Sequence, residues 1–181
     1  DLFLESNQDY KTEIHNFVYN NVKKINPKDY YNNPYYNNIR IQSIKENNWL
    51  LTYQEYKPYE AFVYKNQTVE ELYTTRPSIG YFDKEFSYLT VFQNDREWMA
   101  IKPNEIETMK TSIDEASGNV LTFGLGLGYF AYMVSLKDNV NKVTVVEKDC
   151  EVINLFKKHI LPKFKNKDKI EIICADAYDY Y

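Results

Sequence analysis

Residues 119–129 read Asn-Val-Leu-Thr-Phe-Gly-Leu-Gly-Leu-Gly-Tyr, and three of the five glycines in the 181-residue chain fall there at alternate positions: Gly124, Gly126 and Gly128. An apolar run, Val120 to Phe123, leads in, and a helix-like run, Tyr129 to Leu136, leads out. A buried strand that turns through glycines into a helix leaves backbone N–H groups free. The missing side chains let a cofactor come close to them. Strand-to-helix turns also use glycine for purely steric reasons, so the triplet takes its meaning from the residues downstream of it.

From there the rhythm is β-α-β-α-β. Val143 to Glu147 is a second strand. Cys150 to Leu161 is a second helix with Val152, Leu155, Phe156, His159 and Ile160 on one face, and Ile170 to Cys174 is a third strand. Continuous apolar strands alternating with helices predict a parallel, doubly wound sheet. Two acids then gain meaning. Glu147 closes the second strand about 20 residues past the glycines, where a carboxylate can accept the ribose hydroxyls of a nucleoside. As a strand-end acid facing a crevice, it is expected to contribute little to the core. Asp176, just after the third strand, faces the adenine side of the same crevice.

The upstream half reads differently. Tyr10, Ile14, Phe17, Val18, Val22 and Ile25 recur at helical steps over 9–25, which predicts a packing helix. The Asn-, Tyr- and Pro-rich stretch 26–38 reads as a loop whose tyrosines pack at the surface. Two hairpins follow, Ile39–Ile44 with Trp49–Tyr56 and Phe86–Phe92 with Glu97–Ile101, as one small antiparallel sheet with an added short strand at 59–64. Thr68 and Glu71 fit a capping box for a brief helix to Tyr73, and Ser112 with Glu115 fits a second box after a helix opened by Pro103. Gly118 reads as that helix's C′ residue.

The fold class is therefore α/β, in three parts: an N-terminal helix and loop (1–38), a small β subdomain (39–102) and a parallel-sheet core (103–181) that stops after its third strand. A sheet ending there leaves one edge unpaired, so these residues alone are not expected to be the active unit. Either more chain follows or a partner covers the edge, a homodimer being one arrangement.

The core resembles the class I S-adenosylmethionine-dependent methyltransferases. Phe123-Gly-Leu-Gly-Leu-Gly128 resembles their first motif, Val143 to Glu147 their second and Ile172 to Ala177 their third. A dinucleotide fingerprint wants glycine at position 129, and Tyr129 stands there. The region ahead is similar to the spermidine-synthase-like branch, with Glu105-Ile-Glu107-Thr-Met109 resembling its helix before the first core strand. The resemblance implies the N-terminal half of a Rossmann-like core that binds S-adenosylmethionine. Its cofactor-binding residues would be Phe123, Gly124, Leu125, Gly126, Gly128, Glu147, Lys148, Asp176 and Ala177. It implies methyl transfer to a small-molecule acceptor. Aminopropyl transfer from decarboxylated cofactor, or a non-catalytic cofactor-binding module, are the other readings. Departures are visible: Thr122 stands where many methyltransferases have an acid, and Leu127 and Tyr129 where aminopropyltransferases carry one. No catalytic base can be assigned.

A net charge of −4 and a pI near 5.3 give no global field for nucleic acid or an anionic membrane. The lysines at 157, 158, 163, 165, 167 and 169 read as a solvated face. Cys150 and Cys174 have no metal-ligand spacing and are too few for a disulfide scaffold, a composition suited to a reducing cytoplasm. No metal site, membrane span or signal peptide is read from the sequence.

Overall fold

The computed structural model describes residues 2–69 and 74–180. The chain opens on α1 (Leu2–Asn21), followed by a short strand, β1 (Val22–Lys24). The helix predicted over 9–25 ends at Asn21; Val22 falls in β1, and Ile25 beyond it packs against the core. Tyr10 and Val18 are exposed, and Lys, Glu and Asn residues interrupt the stripe.

The stretch expected as a loop holds two single-turn helices, α2 (Lys28–Tyr31) and α3 (Pro34–Asn38). The Asn33 side chain accepts the Tyr36 N–H at 3.0 Å, and Pro34 occupies the first turn. Cap and proline thus start a helix inside a composition that looks disruptive. Tyr30, Tyr35 and Tyr36 are core residues, not surface packers.

Two sheets replace the single one predicted. An antiparallel sheet has the order β2-β3-β6-β7: β2 (Ile44–Glu46), β3 (Trp49–Tyr56), β6 (Phe86–Gln93) and β7 (Arg96–Ala100). Its two hairpins turn through Asn47 and through Asn94-Asp95, all at positive φ, the conformation tight hairpins demand. The alternation over 39–44 does not make a strand; pairing begins at Ile44. The second sheet pairs β4 (Ala61–Val69) with β5 (Thr74–Tyr81), and β1 adds to β5 in parallel. Thr68 therefore lies in a strand, and the rest of the helix expected up to Tyr73 falls at 70–73, outside the described residues.

Helix α4 (Pro103–Glu115) runs unbroken through Ser112, whose carbonyl accepts the Ala116 N–H, so the second capping box starts nothing. Gly118, at φ 66, opens β8 (Gly118–Phe123), two residues past the cap at Ala116. Then come α5 (Tyr129–Ser135), β9 (Val140–Glu147), α6 (Cys150–His159) and β10 (Ile170–Cys174). The three strands form a parallel sheet in the order β10-β9-β8, with Val143 of β9 opposite Val120 of β8 and Ile170 of β10.

The molecule is thus mixed α/β with several sheets, one of them three parallel strands. Central β9 buries Val143, Val145 and Val146 almost completely, as a strand covered on both faces must. At the edge, Leu121 and Phe123 of β8 stay about half exposed. One continuous set of buried residues joins the parts, running from Tyr35, Leu51 and Val91 to Leu127, Tyr132 and Phe156. Among the described residues, no helix is long and apolar enough to cross a membrane.

Candidate functional site

β8 delivers the chain into the glycine loop. Gly124, Gly126 and Gly128 all take positive φ (86, 51 and 73°). The Gly124 N–H donates to Val146 O and the Gly128 N–H to Leu125 O, both at 2.8 Å. The Leu127 carbonyl accepts the Tyr35 hydroxyl at 2.7 Å, and burial pushes that phenol well above its ordinary pKa, so it stays a donor. Sequence reasoning missed this anchor, because a tyrosine in a polar stretch carries no mark of the carbonyl it will meet. The Gly126 and Leu127 amides donate to no acceptor among the described residues. Over Gly126 lies Met99 of β7, close enough that a Cβ there would sit 3.1 Å from its Cγ.

Glu147 closes the loop from below. It is 8% exposed, its Oε2 accepts the Leu125 N–H at 2.8 Å, and its Oε1 accepts the Asp149 N–H at 2.9 Å. One carboxylate thus ties the glycine loop to the turn after β9. This corrects the expectation that Glu147 matters little to the fold. A carboxylate has about four acceptor positions, so each oxygen keeps capacity for another donor. The start of α6 is capped by Asp149, whose Oδ1 accepts from Glu151 N and Val152 N.

Asp176 is brought to the same end of the sheet. The Ala175 N–H donates to Glu147 O at 3.0 Å, and Asp176 Oδ1 accepts the Tyr178 N–H at 3.0 Å. Lys148 Nζ lies 2.8 Å from Asp176 Oδ2. The hydrogen bond from Lys148 holds the Asp176 carboxyl below its ordinary range, so it is ionised at neutral pH. Ala177 lies in the turn just after it. Of the residues singled out in the sequence, Gly124 to Gly128, Glu147, Lys148, Asp176 and Ala177 therefore lie on adjoining loops at the carboxyl end of the parallel strands. Phe123 reaches that end as well, with its ring half exposed.

Cys150 and Cys174 are joined in a disulfide, with Cα atoms 5.6 Å apart. This departs from the expectation of two thiols in a reducing compartment. Spacing along the chain could not show it, because parallel pairing of β9 with β10 brings the two positions together. Among the described residues, no group of three or more His, Cys, Asp or Glu side chains is placed to hold a metal ion.

Two cavities flank the loop. One of about 630 Å³ lies among α4, β8 and the glycine loop, with Met99, Met109, Phe123 and Tyr129 on its walls and, among the described residues, no charged side chain in its lining. Neither Glu105 nor Glu107 lines it; Glu107 pairs with Lys110 at 2.8 Å. Burial first, and the Glu107 charge second, push the Tyr129 phenol up to about 12. The second cavity, about 480 Å³, lies between β7 and the β9–α6 turn. His159 is bound elsewhere, its Nε2 2.7 Å from Glu46 Oε1. The chain matches no family model and no curated protein.

Proposed function

We propose that the chain binds S-adenosylmethionine across the glycine loop, Glu147 and Asp176, on a Rossmann-like methyltransferase core, and serves methyl transfer to a small-molecule acceptor. The observation that carries this reading is the Glu147 carboxylate. It is fixed beneath the glycine loop with acceptor capacity to spare, beside two amides that have no protein acceptor among the described residues. The sheet order β10-β9-β8, third-second-first along the core, is that of one half of a doubly wound fold, which binds ligands at the carboxyl ends of its strands. Gly124, Gly126 and Leu127 would hold the amino-acid portion, Glu147 the ribose hydroxyls, and Asp176 with Ala177 the adenine. When bound, the cofactor supplies an electrophilic methyl carbon on its sulfonium; the protein binds, orients and excludes water. Methyl transfer is favoured over aminopropyl transfer because, among the described residues, the larger cavity offers a cationic amine acceptor no carboxylate.

Glu147→Gln tests this. It removes the charge and one acceptor, and hydrogen bonds to charged groups contribute roughly 1.5–3 kcal/mol, so S-adenosylhomocysteine should bind about 10- to 100-fold more weakly by calorimetry. Because Glu147 also holds the Leu125 and Asp149 amides, the variant should unfold more readily, by about 1–3 kcal/mol in urea. Binding is therefore compared on protein shown folded by circular dichroism. Unchanged affinity in the folded variant would leave Glu147 a loop-holding residue alone.

A further inference from the structure

Trp98 stands at the second cavity, which is lined by Trp98, Glu147, Lys148, Asp149 and Cys150. The residue is 46% exposed, a large hydrophobic side chain left partly facing water. The exposure is built into the strand pairing. Across the β6–β7 hairpin Val91 faces Met99 and Phe92 faces Glu97, so Trp98 has no register partner on β6 and is the extra residue of a bulge. Bulges break the alternation of a strand, re-aim side chains and recur beside binding sites. Here the result is that neighbouring residues both reach the core loops: Met99 lies over Gly126, and Trp98 over the turn just after Glu147.

The ring is also held in place. It meets Trp49 edge-on, with centroids 5.3 Å apart and planes at 77°. Trp49 is buried, and its indole N–H donates to Glu151 Oε2 at 3.0 Å in the first turn of α6. A rigid aromatic surface beside a ribose-compatible carboxylate suits a planar base, because every nucleobase presents a π face.

We propose that Trp98 is the residue that selects a nucleobase at this site, stacking on the purine of a nucleoside whose ribose is held by Glu147. The assignment rests on the nucleoside reading of the glycine loop. It brings β7 to the base as well as to the glycine loop, and it gives the bulge a purpose.

The test compares S-adenosylhomocysteine with S-ribosylhomocysteine, which keeps the ribose and amino acid but lacks the base. Calorimetric affinities are measured on the wild type, Trp98→Phe and Trp98→Leu. Trp98→Leu should weaken S-adenosylhomocysteine about 10- to 100-fold while leaving S-ribosylhomocysteine within about twofold, and Trp98→Phe should recover most of the loss. In the wild type, S-adenosylhomocysteine should also change tryptophan fluorescence saturably. Equal weakening of both ligands, or S-adenosylhomocysteine binding indifferent to Trp98→Leu, overturns this assignment and leaves the nucleoside reading standing. A wild type that binds neither ligand overturns both.

Discussion

Gly128→Ala should lower the unfolding free energy by about 2–5 kcal/mol, from a left-handed backbone of about 1–2 kcal/mol and overpacking of about 1–3. Gly128 has φ 73°, and a Cβ there would overlap the Phe156 ring, coming 2.7 Å from its Cζ and 3.1 Å from Phe164 Cζ. Neither ring can step aside: both are buried, and they meet edge-on at 5.4 Å with Tyr132 against Phe164 at 4.6 Å. Gly124→Ala is the internal comparison. Its φ is 86°, but a Cβ there meets nothing within 4 Å. Strain alone remains, about 1–2 kcal/mol, and the new methyl projects where ligand is expected. Urea denaturation of the two variants should separate them clearly. Equal, small losses would mean that the close approach of Gly128 to Phe156 does not constrain the loop.

Reduction of the disulfide should have an effect of similar size. Cys150 and Cys174 are 24 residues apart, and closing a loop of that length restricts the unfolded chain by about 3 kcal/mol in the chain-entropy model. For a chain of this size the melting temperature should fall by roughly 6–12 °C on adding a dithiol reductant. The double variant Cys150→Ser, Cys174→Ser should melt at the lower temperature with or without it. Both cysteines are exposed, so the bond is open to reductant. The bond also links the turn after Glu147 to the strand that ends just before Asp176, so ligand affinity should weaken along with stability. Two titratable thiols in the native protein before reduction, or a melting temperature indifferent to reductant, would contradict the pairing.

The parallel core was legible because its signals are local and mutually consistent. An apolar run between Gly118 and Gly124 places β8, the apolar runs Val143–Glu147 and Ile170–Cys174 place β9 and β10, and the apolar face of 150–161 places α6. The acids fall at strand ends, where parallel pairing must bring them together. The upstream half was less legible because its structure is decided by contacts distant in sequence. Tyr35 and Tyr36 lie in a polar stretch, yet they are buried by hydrogen bonds to Leu127 O and Ile101 O. β4 and β5 pair antiparallel along residues of mixed polarity, of which only 59–64 read as a strand, and β1 joins them from the far end of α1, which no local pattern signals. Ser112 and Glu115 make a sound capping box on paper, but α4 is already running when it reaches them. At the site, the double hold of Glu147 on Leu125 and Asp149 could not be read from the sequence, since a strand-end acid looks the same whether it faces a ligand or a backbone amide.

The central claim is that the glycine loop and the strand-end acids form a site for an adenosyl amino acid, and titration calorimetry of the wild-type protein tests it most directly. S-adenosylhomocysteine should give a saturable one-site isotherm. NADP should give none, because its 2′-phosphate would meet the Glu147 carboxylate, the group suited to free ribose hydroxyls. Folded protein that takes up no S-adenosylhomocysteine, or that binds NADP as well as it binds S-adenosylhomocysteine, would contradict the claim.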